Sequence, residues 1–168
     1  SLVNSSNSPA ITCFLPLNLY LSAQSKSFNF MTSEQQLELL AQAEQHLLEG
    51  EYEAALTTSQ QLAEAGVADA YRIQAQVFAE QEQMDEAVEA IKQGMKLFPD
   101  AWDLALFLGN LYGEMGKPDR ALRLYDRLNK ESDAPKDWIK LHVAAAHAQK
   151  QNFDESLNLL QEIEEENV

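Results

Sequence analysis

Small and apolar residues recur along residues 32–168 with a period of 32 to 35 residues. Four segments share one order of residue types: EGEYEAAL (49–56), QEQMDEAV (81–88), MGKPDRAL (115–122) and KQNFDESL (150–157). Each contains a turn, charged residues, a small residue and an aliphatic residue. The small residues are Ala55, Ala87, Ala121 and Ser156. Such regular spacing is typical of a repeated two-helix unit.

A second set of positions repeats with the same period. A small residue stands twelve residues before each member of the first set, at Ala43, Ala75, Gly109 and Ala144. Three residues later come His46, Phe78, Tyr112 and His147. We expect the small side chains to let two helices approach closely and the larger ones to fill the gap to the next hairpin. Glycine costs about 1 kcal/mol against alanine inside a helix, so close packing is the expected purpose of Gly109.

The pattern predicts an all-α protein, an α-solenoid of about four antiparallel helix hairpins. No stretch alternates with a period of two, so no sheet is expected. The predicted helices cover residues 34–48, 52–65, 69–81, 84–97, 102–115, 118–131, 136–149 and 152–165. Boundary residues agree: Ser33 with Gln36 and Asn152 with Glu155 read as capping boxes, Asp100 as an N-cap, and Pro118 and Pro135 as first-turn residues.

Residues 1–31 do not share the repeat and are predicted to lie outside the domain formed by residues 32–168. The apolar run 10–21 is too short to span a bilayer and is interrupted by Pro16. One interpretation is a signal segment over residues 1–23, with a mature start near Gln24 and export. The other is that Met31 is the biological start, that residues 1–30 are an added or wrongly assigned extension, and that the protein is cytoplasmic.

The net charge of the chain disfavours some classes of function. The chain has 168 residues, with 12 Lys and Arg against 27 Asp and Glu, for a net charge of −15. Residues 31–90 hold 13 acids and one base, whereas residues 91–150 hold 8 acids and 10 bases. An acidic surface does not favour binding to nucleic acid or to an anionic membrane. The single cysteine, Cys13, cannot form an internal disulfide or a thiolate metal site.

No motif for catalysis or for a cofactor stands out. GEMGK (113–117) has Leu111 where a phosphate-binding loop needs its first glycine, and Pro118 replaces the Ser or Thr. His46 and His147 occupy the repeated packing position, and His142 lies five residues before His147, which is not a helical metal-pair spacing. We therefore predict no enzyme, no catalytic residue, no metal site and no cofactor.

The repeat resembles the tetratricopeptide repeat family. The strongest similarity lies in residues 102–133, where LGNLYGEMGKPDRALRLYDRL follows the family consensus from the Leu-Gly pair to Tyr125. Residues 68–100 keep Tyr71, Ala75, Phe78, Ala87 and Pro99. The first and last repeats are weaker. The resemblance covers about residues 36–168, and the repeats are assigned to 36–67, 68–101, 102–136 and 137–168.

The resemblance implies a concave groove lined by the first helix of each hairpin. Transferred by position, its candidate lining is Leu40, Glu44, Leu47, Asp69, Arg72, Gln76, Ala79, Asp103, Phe107, Asn110, Glu114, Trp138, His142 and Ala145. Some family members clamp the terminal carboxylate of heat-shock chaperones with basic residues and asparagine. The corresponding positions here hold acids, amides and apolar residues, so chaperone-tail binding is not expected. About half of the lining is expected to serve packing between repeats.

A basic stripe interrupts the acidic background. Arg120, Arg123 and Arg127 share one helix face, with Lys117 and Lys130 at its ends. Local pairing would explain them, since Asp119 with Arg123, Asp126 with Lys130 and Arg127 with Glu131 are all four apart. The alternative is a surface for an acidic partner, such as the acidic half of a second copy.

Three functional hypotheses follow. The first is an adaptor or scaffold that binds a peptide or helix of a partner protein, apolar or cationic in character. The second is self-association, with segment 10–21 in its own groove or that of a neighbour. The third is a regulatory domain of an enzyme complex. The polar run QEIEEEN (161–167) is expected to give the last repeat a polar outer face, so that the array ends there.

Overall fold

The computed structural model describes the backbone of residues 31–166 and the side chains of residues 31–164. This part of the chain contains helices and no strand. The helices are α1 (Ser33–Leu48), α2 (Tyr52–Glu64), α3 (Asp69–Glu80), α4 (Met84–Leu97), α5 (Trp102–Glu114), α6 (Pro118–Glu131), α7 (Lys136–Gln149) and α8 (Phe153–Glu166). The all-α prediction is confirmed, and every helix boundary lies within one residue of its predicted position. The predictions for residues 1–30, including segment 10–21, lie outside the described residues.

The helices pair into four hairpins that stack in chain order. Within the hairpins α1 packs on α2, α3 on α4, α5 on α6 and α7 on α8, and each second helix also contacts the next hairpin. The first helices contact one another in series, from α1 to α3, α5 and α7. A solenoid results, in which the first helices share one side of the stack and the second helices the other. None of the described helices is long and apolar enough to cross a bilayer.

The same turn joins the two helices of every hairpin. One residue of the turn has a positive φ between 62° and 74°, at Gly50, Glu82, Gly116 and Gln151. The next residue donates its N–H to the carbonyl five residues earlier, at 2.8–2.9 Å, in the pairs Glu51–His46, Gln83–Phe78, Lys117–Tyr112 and Asn152–His147. This left-handed cap ends the first helix and reverses the chain. The repeat seen in the sequence is therefore repeated in the hydrogen bonding.

The small positions that recur in each repeat are buried where the two helices of a hairpin meet. Both sets, Ala43, Ala75, Gly109 and Ala144 with Ala55, Ala87, Ala121 and Ser156, are buried. A Cβ built on Gly109 would lie only 2.2 Å from Cε1 of Tyr125. Because no side chain fits there, the predicted role of Gly109 in close packing is confirmed.

The helix caps differ from their predictions at three places. Thr32, not Ser33, caps α1: its Oγ1 accepts from the backbone N–H of Gln35 at 3.2 Å, and Gln35 Oε1 accepts from Thr32 N–H at 2.9 Å. The sequence offers this capping box in two registers one residue apart. Ala101 rather than Asp100 is the N-cap of α5, without a side-chain bond. Pro118 starts α6 as predicted.

Pro135 is the N-cap of α7, one position before the first turn where we expected it. Its φ of −57° and ψ of 123° place it in an extended conformation that precedes the helix.

Candidate binding surfaces

The inner face is formed by the candidate lining on α1, α3, α5 and α7. Of its fourteen residues eleven are half-buried and three are exposed, namely Glu114, Trp138 and Ala145. Leu40, Leu47 and Phe107 also pack against the hydrophobic core. The inner face therefore mixes residues that hold the repeats together with residues that remain accessible.

Arg72 is the centre of a hydrogen-bond network on the inner face, between α1 and α3. Its guanidinium donates to Glu44 Oε1 at 2.8 Å, to Asp69 Oδ1 at 3.3 Å and to Gln76 Oε1 at 3.1 Å. The Glu44 bond joins α1 to α3. Burial lowers the pKa of Arg72, but the bonds and charges of Glu44 and Asp69 outweigh that effect, so the net shift is upward. Four predicted lining residues are thus brought together and satisfy one another.

Tyr125 lies behind the second half of the inner face, although it belongs to α6. Its hydroxyl donates to Asn110 Oδ1 at 3.0 Å, and its ring lies 5.7 Å from that of His142. Burial raises the pKa of Tyr125 and lowers the pKa of His142. Asn110 and His142 are therefore tied to the core by a residue that the sequence analysis did not place near the groove.

Trp138 belongs to a cavity of the last hairpin. With Asp137 and Leu141 of α7 and with Leu160 and Ile163 of α8, it lines a cavity of about 200 Å³. We call Trp138, Leu141, Phe153, Leu157 and Leu160 the end face. Their exposed fractions are 59%, 49%, 59%, 56% and 40%. In the predicted polar run, Gln161, Glu162 and Glu164 are exposed, whereas the end face beside that run exposes apolar side chains.

A cationic groove lies on the other side of the stack, between α4 and α6 and above α5. We call it the outer groove. It has a volume of about 610 Å³ and is lined by Lys92, Met95, Lys96, Leu108, Tyr112, Arg120, Arg123, Leu124 and Arg127. Three residues of the predicted basic stripe belong to this lining, whereas Lys117 and Lys130 do not.

The predicted ion pairs of the stripe form only in part. Lys130 Nζ lies 2.8 Å from Asp126 Oδ2, as predicted. Asp119, however, bonds to Lys150, the C-cap of α7, at 2.6 Å. The pKa of Asp119 is lowered mainly by that bond, with a smaller effect of the charge of Arg123. Within residues 31–164, no carboxylate lies within 4.0 Å of Arg123 or Arg127. The expected pairing of Arg127 with Glu131 is therefore wrong.

Comparison with known proteins identifies the repeat. The family model of the tetratricopeptide repeat matches residues 78–142, which run from the end of α3 into α7. Over these residues the chain is similar to the tetratricopeptide repeat family. No curated protein sequence matches it.

Solved structures of tetratricopeptide repeat proteins are similar to the whole array. A crystal structure of MamA has a TM-score of 0.60 and 18% identity, covering 89% of this chain and 84% of that one. The crystal structure of YrrB, described as a TPR protein with an unusual peptide-binding site, has a TM-score of 0.55 and 15% identity. It covers 88% of this chain and 79% of YrrB. At these identities the similarity establishes the fold.

Two histidines of the helical array have surroundings that the sequence did not indicate. His46 Nδ1 lies 2.6 Å from Glu51 Oε2, and with Glu49 these groups place three possible metal ligands within 4.8 Å of one another. The ion pair by itself accounts for the arrangement. His147 Nδ1 is buried and has no hydrogen-bond partner among the described residues, in keeping with a packing position.

The sequence analysis missed Lys92 and Lys96, which complete the outer groove. A signal was available, since the two lysines are four residues apart on α4 and therefore share a face. Their relation to the arginines of α6 depends on α5, which packs against both α4 and α6 and so places the two helices on either side of one groove.

Proposed function

We propose that this tetratricopeptide repeat protein is a non-catalytic interaction module that binds a peptide or helix of a partner along its inner face. The observation that carries the proposal is the unbroken series of contacts among α1, α3, α5 and α7. That series supplies one elongated surface on which half-buried and exposed side chains from four helices are available. Its similarity in fold to YrrB, itself described as having a peptide-binding site, supports the same function.

The chemistry of the inner face suggests what the partner presents. At the first half, Arg72 is engaged by its own acidic neighbours and leaves no unpaired cation there. Further along, Asp103 and Glu114 have no cation within 4.0 Å among the described residues, and Phe107 lies between them on α5. An apolar segment with Lys or Arg beside it would bury its side chain against Phe107 and pair with these acids.

The test is selection of binding peptides from a displayed random library, followed by affinity measurement with variants. We expect cationic, apolar peptides whose binding is lost with Phe107→Glu. Because Phe107 also contacts the core, a second variant, Asp103→Lys with Glu114→Lys, changes charge without removing core packing. We expect it to weaken the same peptides by about tenfold or more, the effect of one lost charge-assisted contact.

A matched control is Leu97→Glu, an exposed apolar residue on α4 that does not belong to the inner face. It should leave binding unchanged. Peptides that bind all variants equally would contradict the proposal, as would a library that yields no binder at all to the folded protein.

A further inference from the structure

The outer groove concentrates positive charge on a protein of net charge −15. Five of its nine lining residues are cations and none is acidic. Arg120 lies over the ring of Tyr112 at 5.8 Å, and Arg123 and Arg127 have no ion-pair partner among the described residues. Unpaired cations that converge on one groove favour an anionic occupant.

The floor of the outer groove is apolar. Met95, Leu108, Tyr112 and Leu124 lie between the cations of α4 and those of α6. Leu108 and Leu124 are already buried, whereas Met95 and Tyr112 are half-buried. A simple anion would use the cations and leave Met95 and Tyr112 partly exposed to water. A segment with both acidic and apolar side chains would match the charge and also bury these two side chains.

Acidic residues lie beyond one end of the outer groove. The neighbouring cavity, which shares Met95 and Arg127 with it, is lined in addition by Asp100, Glu131 and Asp133. An acidic occupant is therefore confined to the stretch between Arg120 and Arg127.

The end face of the same protein has the complementary character. Phe153, Leu157 and Leu160 lie at spacings of four and three on α8, and are exposed together with Trp138 and Leu141. Acids border them: Asp137 lines the cavity beside Trp138, Asp154 follows Phe153, and Glu164 lies one turn beyond Leu160. Residues 151–168 contain six acids and no base.

The position of the end face in the repeat gives a second reason to expect a cover. Leu160 occupies the position held by Tyr125, Ile91 and Ser59 in the preceding repeats, all of them at most 2% exposed. At Tyr125 the next hairpin contributes to the cover, through the ring of His142. The end face is thus a continuation of the interface that joins successive hairpins.

We propose that the outer groove of one copy receives the end face of a second copy. The apolar residues of α7 and α8 would cover Met95 and Tyr112, while the acids of α8 would pair with the arginines of α6. Of the inner-face lining, this surface contains only Trp138. The residues that the test changes, Arg123, Arg127, Phe153 and Leu157, lie outside the inner face, so failure of this proposal and failure of the proposed function are distinguishable.

The interface joins two different surfaces, so each copy keeps one outer groove and one end face to offer. Association of this kind does not stop at a dimer unless the geometry closes into a ring. We expect the average mass of the full chain, measured by sedimentation velocity and light scattering, to rise beyond that of a dimer with concentration.

The test uses two variants of the full chain that each damage one surface. Arg123→Glu with Arg127→Glu reverses the outer groove, and Phe153→Ala with Leu157→Ala removes apolar contact from the end face. Each variant alone should remain a monomer at concentrations where the unmodified chain assembles. A mixture of the two should form a one-to-one dimer and no larger species, because one intact groove and one intact end face remain.

The matched control is Lys117→Glu with Lys130→Glu, which makes the same change of charge on the ends of the same helix but outside the groove. It should assemble like the unmodified chain, and circular dichroism should show that all variants stay folded. The proposal is overturned if the full chain is monomeric at all concentrations, or if the groove variant assembles unchanged. It is also overturned if the mixture stays monomeric, which would leave the groove to an acidic segment of another protein.

Discussion

At the scale of single residues, Tyr125 links the hairpins of the third and fourth repeats. Its ring fills the space above Gly109, its hydroxyl bonds to Asn110, and its other side meets His142. The need for glycine at position 109 was visible in the sequence because a small residue recurs there. The identity of the residue that requires it was not, since the contact joins positions sixteen residues apart on different helices.

Gly109→Ala should destabilise the protein, even though alanine is the better helix former by about 1 kcal/mol. The new Cβ would lie 2.2 Å from Cε1 and 2.3 Å from Cζ of Tyr125, a ring that is itself enclosed by the core. Overpacking of this kind typically costs about 1–3 kcal/mol, so a net loss is expected in urea unfolding.

Gly113→Ala, one turn later on α5, is the matched control. Its Cβ would meet only the side-chain amide of Gln149, at 2.8 Å, and that flexible, exposed group can move away. The gain in helix propensity should then leave stability unchanged or higher. If both variants lost the same free energy of unfolding, contact with Tyr125 would not be the reason for Gly109.

His142 should make stability depend on pH. Burial lowers its pKa in the folded state, so the folded protein disfavours the protonated ring. Its contribution to stability is complete above the ordinary pKa of about 6.5 and falls as pH decreases from there towards the lower, folded pKa. We expect the free energy of unfolding to decline below pH 6.5, and His142→Gln to flatten that decline.

The readout for His142 is the slope between pH 7 and pH 5.5 rather than the absolute stability, because the substitution also removes a contact with Tyr125. His46→Gln, on the half-exposed pair with Glu51, serves as the control and should keep the decline. A His142→Gln protein with an unchanged slope would show that the acid sensitivity has another source.

At the scale of helices and turns, the sequence predicted where each helix begins and ends to within one residue. It did not predict which residues cap α1, α5 and α7. Two sets of small residues at a fixed offset of twelve located every hairpin, because helix pairs can approach closely only where both surfaces are small. The α1 cap was misplaced because Thr32 with Gln35 and Ser33 with Gln36 both satisfy the capping-box rule. Only packing of α1 against its neighbours selects one register.

The hairpin turns allow a test at this scale. Glu82 holds a φ of 62° at a position where the first and third hairpins use glycine. A side chain in the left-handed region is strained by about 1–2 kcal/mol, whereas glycine adopts it freely but loses more entropy on folding. Glu82→Gly should therefore raise the free energy of unfolding by about 0.5–1 kcal/mol.

The reverse change, Gly116→Ala at a φ of 67°, should lower the free energy of unfolding by a similar amount. No neighbour lies within 4 Å of a Cβ at that site, so backbone conformation alone is tested. Destabilisation by Glu82→Gly would indicate that the side chain of Glu82 contributes more than its strain costs.

At the scale of the whole molecule, the candidate surfaces differ in whether the sequence could predict them. The difference is whether a surface forms only when the hairpins stack. The inner face could be anticipated because one helix per repeat contributes it at fixed positions. The outer groove could not, since Lys92 and Arg123 are distant in sequence and line one groove only when α4 and α6 both pack against α5. The end face escaped notice because a residue such as Leu160 has the same helical pattern whether or not another hairpin covers it.

The uneven charge of the array gives the last prediction. The helices α1–α4 (residues 33–97) carry a net charge of −10, whereas α5–α7 (residues 102–149) carry no net charge. Lowering the ionic strength from 0.15 M to 0.01 M lengthens the Debye screening distance from about 8 Å to about 30 Å, so repulsion then acts across the first two hairpins. Because a solenoid can open locally, low salt should destabilise α1–α4 more than α5–α7.

Hydrogen exchange measured at low protein concentration, where copies stay separate, should show faster exchange in α1–α4 at 0.01 M salt. The helices α5–α7 act as the internal control, and an equal or opposite change in them would mean that this repulsion does not set local stability.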